Sequence, residues 1–262
     1  MSSAPVTVPA SPGVDAAPQL GGAPSGRQVL TMLLLRLVAF AAAQAVVALL
    51  LAAGGSVSPW ADSAAWWPLT ATAANVLTLT LLARRMRAEG ASLRDLYRPD
   101  RARVRRDVPA ALLVTLAGAA LAAGPNMGLA TLLWGDPQVS LDLLVRPLPL
   151  AAAVTSAVLF PVTTALAELP TYYAYVQPRL AALGRGTAVV VAAPALLHAL
   201  QHVTLPLLLD ARFLVWRALM FLPFTLLLAV VLRRRPSLLP YLLVVHLLLD
   251  AQMGVLVLLA AS

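Results

Sequence analysis

The chain contains no cysteine and no lysine. Without cysteine, disulfides, thiolate metal sites and thiol nucleophiles are all excluded, and a bound metal would have to use histidine and carboxylate. Charge of either sign is scarce. Only 11% of the 262 residues are charged against 60% hydrophobic, and the mean hydropathy is +0.84. No water-soluble domain of this length carries such a composition on its surface. The net charge of +8 comes wholly from arginine. The arginines are read as falling between the hydrophobic runs, where they serve as topology signals and contacts for anionic lipid, so the expected partner is the bilayer and not nucleic acid. There is no basic segment followed by a short apolar run at the start, hence no cleaved signal peptide is expected. No 20–50-residue period and no long hydrophilic stretch is found, which excludes a repeat array and a second soluble domain.

What is present is a series of apolar segments of spanning length. A transmembrane helix needs about 20 predominantly apolar residues, and seven stretches qualify: 29–53, 64–83, 108–132, 149–175, 187–209, 213–232 and 238–260. Gly124-Pro125-Asn126 inside the third leaves open a broken helix or a re-entrant turn there, and with it an eighth span. Residues 1–27, rich in Pro, Ala, Gly and Ser, are expected to be a disordered tail. Residues 28–262 then form one all-α polytopic transmembrane bundle. Nine arginines between Arg84 and Arg106, Arg179 with Arg185, and Arg233-Arg234-Arg235 fall on one side of a seven-span chain whose N-terminus is cytoplasmic, in accord with the positive-inside rule. The segment 84–107 is either an orientation signal or a short amphipathic surface helix. The expected location is the cell membrane, and the Ala-, Leu- and Arg-rich composition points to a bacterial source.

Of the titratable acids and histidines, Glu168, His198, His202, His246 and Asp250 are the ones inside apolar stretches. The other acids (Asp15, Asp62, Glu89, Asp95, Asp100, Asp107, Asp136, Asp142, Asp210) are placed in the tail, in loops or at span ends, where water solvates them. A titratable group in the bilayer core costs roughly 2.5–3.5 kcal/mol on insertion scales, so each needs a partner or a cavity. His246-Leu-Leu-Leu-Asp250 puts an imidazole and a carboxylate on one helical face, and His198-Ala-Leu-Gln-His202 repeats the spacing with two imidazoles. Glu168 precedes Pro170, which has no backbone donor and clashes with the carbonyl of Leu166, so the helix is expected to kink or loosen beside the carboxylate. A structural reading, in which these groups only tie helices together, stands beside the functional one. Because a neutral amide is cheaper to bury than a carboxylate, Glu168→Gln is expected to leave stability unchanged or raised.

The order of these groups resembles the CPBP family of intramembrane proteases (CAAX prenyl protease and bacteriocin-processing, also called Abi), whose motifs are EExxxR, FxxxH and HxxxN or HxxxD. The resemblance covers about 150–255. Its strongest local match is Tyr175-Val176-Gln177-Pro178-Arg179-Leu180, which looks like the segment after the first motif. In that register Glu168 takes the first Glu, Leu169 the second, Tyr173 the Arg and Ala174 the Gly. A shift by one residue would put Glu168 at the second Glu and Tyr172 at the Arg, but it breaks the match to the following segment. His198 falls at the Phe of FxxxH and His202 at its His, while His246 and Asp250 match the third motif without substitution.

The resemblance implies an endopeptidase that cuts a membrane-associated protein or peptide. Glu168 and His202 would activate water, His246 and Asp250 would bind the developing oxyanion or help hold a metal, and His198 and Tyr173 would support them. Zinc on His202, His246 and a carboxylate, with one open position, is one version; a metal-free glutamate mechanism is the other. Loss of the second Glu and the Arg at Leu169 and Tyr173 equally suits a catalytically silent relative that binds membrane proteins or confers bacteriocin immunity. A small transporter using the same groups as a proton relay is a third reading, without an inverted repeat to support it.

Overall fold

The computed structural model describes residues 25–261, and among them all regular structure is helical. In chain order it runs α1 (Gly26–Ala53), α2 (Pro59–Ser63), a 3-10 turn at Ala64–Trp66, α3 (Trp67–Ala88), a 3-10 turn at Leu93–Tyr97, α4 (Val104–Trp134), α5 (Val139–Asp142) and α6 (Leu150–Leu169). A π-helical segment, Pro170–Val176, then leads into α7 (Gln177–Ala182), followed by α8 (Thr187–Leu200), a 3-10 turn at Gln201–Thr204, α9 (Ala211–Leu219), α10 (Leu222–Arg234), a 3-10 turn at Pro236–Leu238 and α11 (Leu239–Leu259). The expected tail lies outside the described residues up to residue 24, and α1 begins at Gly26, inside the 1–27 range assigned to that tail.

Six helical stretches are long and apolar enough to cross a membrane: Gly26–Ala53, Val104–Trp134, Leu150–Ala182, Thr187–Thr204, Ala211–Arg234 and Pro236–Leu259. The chain is therefore a polytopic helical bundle. The expected span at 64–83 falls mainly on α3, which is not among the six. Its 22 residues are long enough at about 1.5 Å each, but Thr70, Thr72, Asn75 and Thr78 dilute its apolarity. All four are buried, because α3 packs against both α1 and α6. Thr72 and Thr78 return their hydroxyls to the carbonyls of Pro68 and Ala74 at 2.8 and 2.7 Å, so the polar groups need no water. The 108–132 stretch is one continuous helix, α4, with Pro109 and Pro125 inside it, and neither the re-entrant turn nor the eighth span is formed. Leu112, Leu113, Leu116 and Leu132 of α4 are exposed, as befits a helix at the lipid-facing edge. The segment 84–107 splits between the end of α3, the five-residue 3-10 turn Leu93–Tyr97 and the start of α4, so apart from that turn no separate surface helix forms there.

Helix α6 is central, packed between α3 and α11. Its approach to α11 is close because Gly254 has no side chain: a Cβ there would lie 3.0 Å from the Ala157 Cα. Small residues play this role where helix backbones meet in membranes. At the segment ends, arginines read as topology signals also make structural pairs. Arg179, 4% exposed, pairs with Glu89 through Nε at 3.1 Å and through Nη2, and stacks 3.6 Å from the Tyr175 ring centroid. Asp107, placed by sequence in water, is 1% exposed and holds Arg235 Nη2 at 2.7 Å.

Pro170 leaves the α6 ladder short of a donor, and the helix widens into the π-helical segment at that point. The Leu166 carbonyl, which an N–H at position 170 would address in a regular helix, accepts a hydrogen bond from the Tyr97 hydroxyl at 3.0 Å. Partial burial pushes that hydroxyl from its ordinary value up to about 12.

Two outcomes follow from this packing. Gly254→Val should destabilise the bundle by about 1–3 kcal/mol through overpacking against Ala157, read as a lower unfolding temperature of the purified protein in detergent. Tyr97→Phe should cost about 1 kcal/mol at neutral pH. Since folding raises the Tyr97 pKa, its contribution is fully present below the unfolded value and is lost as pH rises through about 12; the wild-type advantage over Tyr97→Phe should therefore shrink above pH ~10.

Candidate functional site

Glu168 ends α6 at the π-helical widening and is 3% exposed. Four side chains converge on its carboxylate. Arg36 Nη2 and Gln201 Nε2 donate to Oε2 at 2.9 and 2.6 Å, His198 Nε2 lies 2.7 Å from Oε1, and His246 Nε2 lies 3.4 Å from the same oxygen. Arg36 sits in the middle of α1 and is wholly buried, which corrects the expectation that every arginine falls between the runs. Its Nη1 donates to Asn75 Oδ1 at 2.5 Å and its Nε to Gln201 Oε1 at 2.6 Å. Asn75 passes the network on to Thr164 at 2.8 Å, and the Tyr172 hydroxyl donates to Gln201 Oε1 at 3.1 Å. A buried ion pair survives desolvation only when its remaining donors and lone pairs are satisfied, and here α1, α3, α6 and the Gln201–Thr204 turn all contribute to satisfying them.

Arg36, Asn75 and Gln201 escape a search confined to acids and histidines. The same test of polar groups inside apolar runs, applied to Arg, Asn and Gln, finds all three. It also finds Arg217 of α9, 4% exposed, whose Nε donates to the His202 carbonyl at 2.9 Å and whose Nη2 donates to the Leu205 carbonyl.

The two histidines of α8 and its C-terminal turn exchange the places assigned to them. His198 touches Glu168; His202 does not. His202 directs Nδ1 to the carbonyls of His198 and Ala199 at 3.0 and 3.2 Å, with its ring centroid 4.5 Å from that of Phe221 and 5.9 Å from that of His198. The spacing argument assumed that α8 continues through residue 202, but α8 ends at Leu200 in a 3-10 turn. In such a turn residues i and i+3 eclipse, so Gln201 comes beneath His198 and onto Glu168. Tyr173 supports His198 from the other side, its hydroxyl 2.8 Å from Nδ1. Tyr172 stacks on the same ring with centroids 5.1 Å apart and planes at 9°, so either register of the first motif brings a tyrosine to His198. Leu169 is buried in the apolar core.

His246 and Asp250 complete the cluster from α11. His246 Nε2 stands between Glu168 Oε1 at 3.4 Å and Asp250 Oδ2 at 3.2 Å, without an aligned hydrogen bond to either, and Asp250 Oδ2 is buried with no hydrogen-bond partner. Their side chains are 14% and 20% exposed against 3% for Glu168, so the cluster is most open along α11. The structure thus brings Glu168, His198, His246 and Asp250 together and sets His202 one ring away.

Zinc does not fit this arrangement. Among the described residues no group of three or more His, Asp or Glu side chains could hold a metal ion. His202 turns Nδ1 to backbone carbonyls, and the guanidinium of Arg36 already stands 2.9 Å from Glu168 Oε2, where a second cation would be repelled.

The pairing with Arg36 reverses the expected stability of Glu168→Gln. The amide would leave a buried guanidinium without counter-charge, at a cost of about 3 kcal/mol. Arg36→Met should cost a similar amount, and the double variant Arg36→Met with Glu168→Gln should be more stable than the two losses summed, as measured by denaturant unfolding in detergent. The comparisons with known proteins add no relative: no family model, curated protein or solved structure matches the chain.

Proposed function

We propose that the chain is an intramembrane endopeptidase of the CPBP type, hydrolysing a peptide bond in a membrane-associated protein or peptide. The observation that carries the reading is that one oxygen of a buried carboxylate, Glu168 Oε1, is shared by His198 at 2.7 Å and His246 at 3.4 Å, with Asp250 Oδ2 3.2 Å from the same His246 nitrogen. Peptide hydrolysis needs a base for water, an acid for the leaving amine and stabilisation of an oxyanion. In the proposed reaction Glu168 accepts a proton from water as the water oxygen bonds to the carbonyl carbon. The C–N bond then breaks, and Glu168 returns the proton to the leaving amine. His246, whose Nε2 lies between the Glu168 and Asp250 carboxylates, donates to the oxyanion between these steps. His198 takes the place beside Glu168 that the family resemblance assigned to His202, and no metal enters. The proposed setting is a bacterial cell membrane that α3, 22 residues long, crosses inside the bundle as a seventh span; the arginines clustered at 84–106 and 233–235 then fall on the side of the N-terminus, which supports a cytoplasmic N-terminus.

A second reading has its own observation. Glu168 Oε2 is fully engaged by Arg36 and Gln201, a network complete without substrate, which favours a silent protein that binds membrane proteins or confers bacteriocin immunity.

The variants that separate the two are His246→Gln and Asp250→Asn, because both leave the Arg36–Glu168 pair intact. Purified protein incubated with a quenched peptide library should show turnover that chelator does not remove, and His246→Gln should lower it by about 10²-fold or more, as loss of an oxyanion donor does. Absence of turnover, together with the same cellular phenotype for wild type and His246→Gln, would transfer the proposal to the binding reading.

A further inference from the structure

Tyr173 makes two hydrogen bonds that together restrict where protons can lie. Its hydroxyl is 3.0 Å from the backbone carbonyl of Thr225 in α10 and 2.8 Å from His198 Nδ1. A carbonyl oxygen only accepts, and a phenol has one hydrogen to donate. The hydroxyl hydrogen is thus committed to Thr225, and the contact with His198 requires that Nδ1 carry a hydrogen and donate it to the tyrosine oxygen. The other ring nitrogen, Nε2, is 2.7 Å from Glu168 Oε1. With Nδ1 protonated, that contact needs one more hydrogen between ring and carboxylate: either an imidazolium against a carboxylate, or a neutral ring accepting from a carboxyl.

We infer that Tyr173 is a positioning residue that holds His198 with Nδ1 protonated and thereby keeps one proton on the Glu168–His198 axis. The charges around this axis agree with it. Arg36 from α1 and Arg217 from α9 are buried cations, Glu168 from α6 is a buried acid and Asp250 from α11 a half-buried one, and His202 and His246 face the cluster from the Gln201–Thr204 turn and α11. Tyr172 covers the remaining face of the His198 ring. Under the hydrolase reading, on which this consequence rests, that proton sits on the His198 side of the axis, so that Glu168 is a carboxylate able to accept the proton of water. The position that resembles an arginine site in the first motif would then act through hydrogen-bond direction and not through charge.

The test is ¹⁵N NMR of the full-length chain labelled at histidine and reconstituted in lipid nanodiscs, with His198→Gln used to assign the His198 signals by their disappearance. The expected result is a protonated Nδ1 at His198 in the wild type and a bare Nδ1 with protonated Nε2 in Tyr173→Phe, where nothing remains to accept from Nδ1. A bare Nδ1 at His198 in the wild type overturns the inference, and that measurement decides the matter even if Tyr173→Phe does not fold. If turnover is found, Tyr173→Phe should lower kcat by about 10–100-fold with little change in KM. A protonated Nδ1 in a protein without turnover supports the proton placement while the hydrolase reading fails, so the two outcomes are separable.

Discussion

A guanidinium and a carboxylate facing each other at 2.9 Å, 0% and 3% exposed, set the terms for the rest of this bundle. Removing two charges from water costs several kcal/mol per ion, and their mutual attraction offsets that only when each remaining donor and lone pair is satisfied. Asn75 of α3 and Gln201 of the Gln201–Thr204 turn answer this requirement. Asn75 is in a helix that would otherwise span more comfortably as a run of Leu and Ala, and it is there to accept from Arg36. Gln201 accepts from Arg36 and donates to Glu168 at once. Packed between α1 and α6, α3 holds Asn75 within reach of both Arg36 and Thr164.

The widening of α6 at Pro170 serves the same place in the molecule. A proline in a helix interior leaves a carbonyl without its donor, and Tyr97 supplies one from outside the span. Past this point the π-helical segment carries Tyr172 and Tyr173 to the two sides of His198. Further from the centre, Arg217 gathers the carbonyls of His202 and Leu205, while the Glu89–Arg179 and Asp107–Arg235 pairs tie segment ends. Charge near the ends of spans therefore also cross-links segments, a role that a count of arginines does not reveal.

The candidate site was partly legible in the sequence for a physical reason. A carboxylate or imidazole in an apolar run is too costly to be incidental, so Glu168, His198, His202, His246 and Asp250 could be picked out, and the i, i+4 spacing of His246 and Asp250 holds because α11 is regular from Leu239 to Leu259. Arg36 was missed by treating arginine as a marker of span ends. The resemblance sets His202 beside Glu168, but the helix tightens to 3-10 geometry after Leu200 and rotates Gln201 into that position.

By itself the sequence determined that the chain is a helical membrane bundle and which residues could not be left unpartnered in it, since both follow from transfer free energies that depend on composition and local order alone. Which partner each group takes was decided only by the tertiary structure. Arg36 and Glu168 are 132 residues apart, and no local period relates them. Their meeting depends on how α1, α3 and α6 pack, as the choice of His198 over His202 depends on where one helix ends.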